Sequence, residues 1–585
     1  MATISIKDRM SVVEDKLKKR YKFDRDFSAV LFKGTVTVIV TLGAGWLFGP
    51  RNMMIAYVLV LGASALSLQN MKVKTFAKML RLIITDLFIV TVAFIASLNK
   101  YWAIPIDLIM IFGIIYATVS HYNHMSYKTF MMLFVFSQYT KITVAELPMR
   151  YLMVITTVAI VVFSIYLEQS KYKPLLPPQV SRALKSIYKQ LENIKEGNYD
   201  EALTTKIEKE MGELAYAIYF TSYKRYFTTY IGRIHFHFYL DISYLGNLLS
   251  QMYEDRRNGT YNMNNICLLC SVFEDIKEYF ARELTRENLM NKLESFLNVY
   301  EIKTDLDKEV FEVMESFNRN FLELDSIKYK DQNKVYDDWE RNQLNIIGEK
   351  MSNILKSKTM SVSFAARMSI TLTVMLYIAS IVGYYKFIWA IIPIMSISQP
   401  YYEDTHKRAY DRVKSNVLAA LIIGVLLSIF PYRGFILTVF IINMYLLYLY
   451  KDYYHMSIFL TNVSMCVSAF GQNAGKLLVY RIIYVVIGAL IVEIMSRIHT
   501  FKVEDGINEL VEEAEKIHNI LDEELELSKK GKANFNRVRE EIVYSAVINQ
   551  KLQLKNKQFN SDSVSALIKD NNKFAISLGH NLLKI

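Results

Sequence analysis

Residues 365–384 read AARMSITLTVMLYIASIVGY, an apolar stretch of bilayer-spanning length interrupted by a single charge, Arg367. The same design stands 334 residues earlier, where residues 28–48 read SAVLFKGTVTVIVTLGAGWLF around the lone charge of Lys33. At that same offset Ala56 matches Ala390, Lys74 matches Arg408 and Lys78 matches Arg412. From the fourth segment onward the offset becomes 331, pairing His124-Met125-Ser126 with His455-Met456-Ser457 and Arg150 with Arg481. The chain therefore repeats itself. Duplicated bundles of membrane helices gather around a shared midplane, where transporter folds place a substrate path.

Apolar runs predict helices over 28–48, 52–68, 79–98, 103–120, 127–141 and 149–168, and again over 365–384, 387–400, 411–430, 434–450, 454–470 and 477–497. The fold class expected is an all-α integral membrane protein with two repeats of about six transmembrane helices, each followed by a cytoplasmic helical domain. Its divisions are a basic amino-terminal segment (1–27), a first bundle (28–170), a helical domain (171–363), a second bundle (364–497) and a carboxy-terminal helical domain (498–585). The second, fifth and eighth segments fall short of the roughly 20 residues that span a bilayer, so short, tilted or broken helices lining a protein-enclosed cavity are expected there.

Hydrophobic residues make up 52% of the chain, more than a soluble enzyme needs, and they cluster in the twelve segments. Basic residues fall on one side: the amino-terminal segment from Lys7 to Arg25 and the loops at 72–81 and 407–414 are rich in them, whereas Arg51, Lys100 and Arg433 stand almost alone in the opposite loops. Both termini and both polar regions are thus expected in the cytoplasm. Juxtamembrane basic residues facing anionic lipid account for much of the net charge of +12, so membrane lipids are implied as partners and nucleic acid is not. Residues 1–22 are charged and amphiphilic and lack the apolar core of a cleavable signal peptide, which leaves the first membrane helix as the expected signal.

The polar regions are poor in Gly and Pro and carry amphipathic patterns. Leu184, Ile187, Leu191 and Ile194 fall on one helix face, as do Ile507, Leu510, Ala514, Ile517 and Leu521. A glycine turn follows each pattern, at Gly197 and Gly531, again 334 apart. One helical bundle assembled from both regions is expected, with dimerisation as a role. Pro174, Pro177 and Pro178 mark the linker that leaves the first bundle.

Enzyme chemistry finds little support. Cys267 and Cys270 form a CxxC, but no second ligand pair stands at zinc-site spacing, and a buried helix face is the expected setting. Gly471-Gln472-Asn473-Ala474-Gly475-Lys476 is one residue short of a phosphate loop and lacks its Ser or Thr. His235 and His237 alternate with Phe236 and Phe238 without a carboxylate partner, which fits surface or packing residues. No cofactor, metal or catalytic constellation is expected.

Ionisable residues inside membrane segments are costly and therefore informative. Lys33 and Arg367 lie inside the cytoplasmic ends of their helices, and Arg150 and Arg481 near the outer ends of theirs. Such pairs at opposite mouths would draw an anion from either side. Equally, side chains near helix ends snorkel to the headgroups, and sequence leaves both readings open. Asp86 sits mid-helix with Ala420 as its repeat mate, so it is expected either to carry a proton in a transport cycle or to pair with a neighbour. Asp107 and Glu493, near helix ends, are expected at the interface. Aromatic residues such as Tyr384-Tyr385, Tyr401-Tyr402 and Tyr453-Tyr454 suit an interfacial belt.

Arg367, then Trp389-Ala390, Gln399-Pro400, Thr405, Arg408 and Arg412, and finally Arg481 with Gly488, form an ordered pattern. It resembles the fusaric acid resistance, or aromatic acid exporter, family over nearly the whole chain. Ser415-Asn416 departs from that family's Gly-Thr, Ala419 replaces a frequent Gly, and the first repeat is eroded, with Tyr57 after Ala56 and Gln69-Asn70 near the place of Gln-Pro. The resemblance implies a plasma-membrane exporter of organic anions, typically aromatic carboxylates and energised by the proton gradient. Plant malate channels, distant in resemblance, imply that such bundles can also pass anions passively as homodimers. The substrate-binding set expected is Arg367, Arg481, Lys33, Arg150, Trp389, Gln399 and Arg412, with Asp86 as the coupling residue. An anion channel and a non-transporting membrane scaffold that binds partners through its polar domains are the alternatives.

Overall fold

The computed structural model describes residues 27–62, 71, 74–120, 124–170, 176–221, 228–327, 334–335, 359–382, 387–450, 452–469, 474–498 and 501–583. The basic segment from Lys7 to Arg25, Gln69-Asn70, Pro174, Tyr384-Tyr385 and Gly471-Gln472-Asn473 lie outside the described residues. Among the described residues the fold is helical and no strand forms; one isolated bridge pairs Thr229 with Val335.

The helices in chain order are α1 (Phe27–Phe48), α2 (Pro50–Leu61), α3 (Thr75–Leu98), α4 (Lys100–Thr118), α5 (Tyr127–Tyr139) and α6 (Leu147–Ser170). They continue with α7 (Pro178–Glu196), α8 (Glu201–Thr221), α9 (Tyr230–Arg257), α10 (Met263–Ala281), α11 (Arg286–Val299) and α12 (Asp305–Ser326). Next come α13 (Met360–Val382), α14 (Ile388–Ile397), α15 (Tyr402–Ile429), α16 (Arg433–Leu446), α17 (Tyr453–Ala469) and α18 (Ala474–Ile498). The last three are α19 (Val503–Lys529), α20 (Phe535–Phe559) and α21 (Asp562–Leu583). Two compact units result: one takes in α1–α6 and α13–α18 as far as Gly506, the other α7–α12 and the chain from Ile507 onward.

In the first unit seven helices are long and apolar enough to cross a membrane: α1, α3, α4, α6, α13, α15 and α18. The others are shorter, and the reasons are local. α2 opens on Pro50 directly after Gly49, whose φ of +92° only glycine adopts without strain. α14 carries Pro393, which removes one backbone donor, and it stops ahead of Pro400 after only 10 residues. The segment expected at 434–450 ends at Leu446. The basic stretch at 407–414 is not a loop: α15 already starts at Tyr402, with Glu403 and Asp404 favouring its positive amino-terminal end, so Arg408 and Arg412 project from a helix.

The three shortest helices, α2, α5 and α14, lie largely inside, and the long ones face outward. Nine of the ten α14 residues are buried, and α2 buries Ile55 through Val60. The long helices instead expose apolar side chains such as Phe88, Ile109, Phe163 and Ile494, which suits a lipid surround. α14 and α18 touch through their backbones at Gly488, where a Cβ would stand 2.7 Å from the Ala390 carbonyl oxygen and 3.1 Å from Pro393 Cβ. Where the family pattern has Gly-Thr, Asn416 donates to the Arg412 carbonyl (2.9 Å) and accepts from Thr461 (3.0 Å), so polar pairing replaces close approach.

The second unit buries the amphipathic faces expected from the sequence. Leu184, Ile187, Leu191 and Ile194 of α7, and Ile507, Leu510, Ala514, Ile517 and Leu521 of α19, are all in its core. Gly197 (φ +89°) and Gly531 (φ +68°) turn the chain in the left-handed conformation that ends many helices. Phe236 and Phe238 lie in α9, where Phe238 meets Phe317 and Phe321 edge-on, and His237 Nδ1 meets Asn320 Oδ1 at 3.1 Å. Of the two cysteines on α10, Cys270 is buried and Cys267 exposed, so only one lies on the expected buried face.

Beside His237, Asp241 is fully buried, accepting from Ser316 (2.9 Å) and Asn320 (2.7 Å). Burial pushes its carboxyl up to about 7, although the hydrogen bonds from Ser316 and Asn320 pull the other way. An unfolded chain releases this proton near pH 4, about three units lower, so between about pH 4 and 7 the folded state binds more protons and stability falls as pH rises. The full effect is on the order of 4 kcal/mol. Amide exchange protection in α9 and α12, corrected for intrinsic rates, should weaken from pH 5 to 8, and Asp241→Asn should flatten that slope. An equal slope in the variant would remove Asp241 as its source.

Candidate anion site

α14 is the frame of the site. A helix ends with carbonyls that lack partners and with a negative partial charge, and three side chains answer both needs here. Tyr127, the first residue of α5, donates its hydroxyl to the carbonyls of Met395 (3.2 Å) and Ser398 (3.1 Å). Lys128 Nζ donates to the Ser396 carbonyl at 3.1 Å. Arg367 of α13 donates to the carbonyls of Gln399 and of Pro400 and lies over the Phe364 ring, 5.5 Å from its centroid. Gln399 holds this turn through its backbone: its N–H donates to Thr405 Oγ1 (3.1 Å), and the Thr405 hydroxyl lies 3.1 Å from the Gln399 carbonyl and 2.9 Å from that of Tyr401.

At the other end of α14, the guanidinium of Arg481 of α18 lies over the Trp389 ring, 4.2 Å from its centroid. Trp389 is the second residue of α14, so this guanidinium stands at the helix's positive end, where nothing in the helix balances it. Arg412 of α15 lies close enough to Arg481 for the two charges to act on one another, and close enough to act on Lys128 as well. Arg412 is 0% exposed and Arg481 2%. Yet Nε, Nη1 and Nη2 of Arg412, and Nε and Nη1 of Arg481, have no hydrogen-bond partner among the described residues. The Tyr453 hydroxyl is near Arg412 but out of bonding geometry and is itself unpartnered. Arg408 extends the group, with its guanidinium 4.8 Å from the Tyr453 ring centroid.

Buried polar groups in native structures are nearly always paired, and a buried charge without a counter-charge is more costly still. Two unsatisfied guanidinium forks within electrostatic reach of one another suit the planar, doubly accepting oxygens of a carboxylate or phosphate. Of the residues singled out in the sequence, Arg367, Trp389, Gln399, Arg412 and Arg481 therefore gather along one helix. Arg367 and Arg481 mark its two ends, and the helix between them is about 15 Å long at 1.5 Å per residue. Sequence reasoning passed over Lys128, Tyr127 and Tyr453 as binding groups and placed Arg408 only in the motif. The repeated His-Met-Ser ahead of Tyr127-Lys128 was the available signal, since it ties this stretch to the second repeat, where Phe459 is the mate of Lys128.

Residues 373–495 match the family model described as fusaric acid resistance protein-like. That span contains Trp389, Gln399, Arg412 and Arg481 and begins just after Arg367. No curated protein and no solved structure matches the chain. The match and the apolar helices of spanning length together indicate a multi-pass membrane protein, and the matched family's description suggests a membrane transporter or resistance protein.

The remaining sequence-selected residues lie elsewhere in the same unit. Lys33 forms an ion pair with Glu168 at 3.3 Å. Arg150, the repeat mate of Arg481, is as buried but fully engaged: Nε donates to Asn52 Oδ1 (3.0 Å), Nη1 to the Ser137 carbonyl (2.9 Å), and Nη2 to the carbonyl and hydroxyl of Thr140 (2.8 and 3.0 Å). Asp86 of α3 is 4% exposed, its Oδ1 has no partner among the described residues, and it lines a mostly apolar cavity of about 40 Å³ with Leu59, Leu82, Thr129, Phe130 and Val158. Asp107 is not interfacial as expected; it is buried and accepts from Gln138 Nε2 at 3.0 and 3.2 Å, a partner on α5 that the helix-end position did not reveal. Glu493 is held by Tyr402, His406 and Arg497 at 3.2–3.3 Å.

Proposed function

We propose that the protein is a secondary transporter that exports organic anions, aromatic or amphipathic carboxylates, across the cell membrane. The observation that carries this reading is the pair of buried, unpartnered guanidinium groups of Arg412 and Arg481. In this reading they grip the carboxylate, Trp389 and Tyr453 flank the organic part, and Lys128, Arg367 and Gln399 continue the path along α14. The near-complete burial of both guanidiniums favours an occluded site that is opened alternately over a continuously open channel.

The wider architecture belongs to the same proposal. Six helices before and six after the polar insert have similar lengths in order, 22 and 23, 12 and 10, 24 and 28, 19 and 14, 13 and 17, 24 and 25 residues, which supports two repeats. The basic residues of α3 and α15 support a cytoplasmic location for the helical second unit and both termini. A homodimer in the plasma membrane completes the proposal, on the resemblance alone. Lys33 and Arg150, bound within the first block, serve its framework and the entrance to the path. Asp86 is the coupling residue: an acid whose oxygen faces an apolar cavity takes up and releases a proton as its surroundings change.

Purified protein in liposomes loaded with aromatic and aliphatic carboxylates tests this, with efflux and internal pH followed with and without an imposed pH gradient. Efflux linked to proton movement is expected, and Asp86→Asn should uncouple the two while anion binding persists. Voltage-driven current indifferent to pH would replace the transporter by a channel. Silence toward every anion, from correctly oriented protein, would turn the reading to lipid-like substrates or to the scaffold.

A further inference from the structure

The cations along α14 differ in what balances them. Lys128 faces a carbonyl at the negative end of α14, Arg367 faces two more, and Arg408 feels Asp404 and Asp411 of its own helix. Among the described residues no carboxylate acts on Arg412 or Arg481; the charge that acts on Arg481 is that of Arg412, and the side chain that interacts with Arg412 is Tyr453, through its neutral hydroxyl. Guanidinium groups are not deprotonated in proteins, so two whole positive charges stand together in a space closed to water. One carboxylate shared between them would leave a unit of positive charge buried without a partner, and low dielectric makes that residue of charge expensive.

We infer that the ligand this site selects is a dianion: a small organic molecule whose two negative charges, on paired carboxylates or on one phosphate-type group, are divided between Arg412 and Arg481. The inference rests on the anion-site reading and sharpens it, because that reading alone would accept a singly charged aromatic acid. Charge number, more than ring chemistry, becomes the basis of selection. The Trp389 ring under Arg481 favours its present place beside the anion position, so leaving a monoanion with Arg412 alone would give up that contact.

Calorimetric titration of the purified full-length protein with benzoate, phthalate, phenyl phosphate and inorganic phosphate tests it. At about pH 7.5 phthalate and phenyl phosphate should bind roughly 30-fold more tightly than benzoate, as a second charge-assisted interaction predicts. Inorganic phosphate matching phenyl phosphate would assign the selectivity to the charged group alone, in support of the proposal. Arg412→Gln should bring the dianion-to-monoanion ratio close to one. A second arm needs no variant: phenyl phosphate loses its second charge below about pH 6, so its affinity for the unaltered protein should fall several-fold by pH 5.5 while that of benzoate holds. Benzoate binding as tightly as the dianions, or phenyl phosphate binding indifferent to pH, would overturn the dianion and leave the anion site standing. No binding of any of the four would overturn both.

Discussion

Replacing Arg412 with leucine is expected to abolish anion flux and, at the same time, to make the protein harder to unfold. Removing a buried charge that has no partner takes away a desolvation penalty and leaves no complementary group stranded, since among the described residues no carboxylate or carbonyl depends on that guanidinium. Exchanges of buried ionic groups for well-packed apolar ones stabilise by roughly 1–4 kcal/mol, and a gain in that range should appear as a raised midpoint in thermal unfolding of the detergent-solubilised protein. Flux should drop by at least about a hundredfold, the scale of losing one charge-assisted contact to substrate together with its positioning. The combination is diagnostic, because a residue kept for stability gives the opposite sign. Arg412→Leu that lowers the midpoint, or that transports normally, would remove Arg412 from the site.

Arg150→Leu should do the reverse. Here the guanidinium joins the start of α2 to the end of α5, and its loss leaves Asn52 Oδ1 and the Ser137 and Thr140 carbonyls without donors in a buried place. Three such acceptors cost roughly 3–5 kcal/mol together. The expected outcome is a large fall in the unfolding midpoint and in the amount of inserted protein, with whatever folds still binding anions. Arg150 and Arg481 occupy repeat-related positions, so the contrast between Arg412→Leu and Arg150→Leu tests whether the first block is framework and the second is the site. If Arg150→Leu leaves stability unchanged and eliminates binding, that division of labour is wrong.

Much of the helix plan was legible because apolar segments are long and uninterrupted, and even the shortness of α2, α5 and α14 could be read from their lengths. The helical start of α15 was not, because seven charged residues between Glu403 and Lys414 look like a loop to hydropathy even though nothing in them breaks a helix. Arg367 and Arg481 were found through the repeat and the family pattern, but sequence put them at opposite mouths of the membrane. Only the path of α14 shows that they flank one short helix. What separates Arg481 from Arg150 is also invisible along the chain: one meets an indole ring, the other two carbonyls released where α5 ends. Asp107 was misread for the same reason, since its partner Gln138 belongs to another helix. Lys128 drew no notice in the sequence, because nothing along the chain shows that the carbonyl end of α14 comes to lie beside it.

The shortness of α14 also carries an electrical consequence. Its ten residues cover about 15 Å, half the thickness of a hydrocarbon core. An anion handed outward from Arg367 to Arg481, with α14 upright in the bilayer, would thus cross about half of the membrane field, a step worth roughly 1 kcal/mol per charge at 100 mV. A dianion would feel twice that. The rate of turnover should accordingly steepen with membrane voltage in proportion to the charge of the cargo, and the cell's resting potential, negative inside, would help to drive it outward.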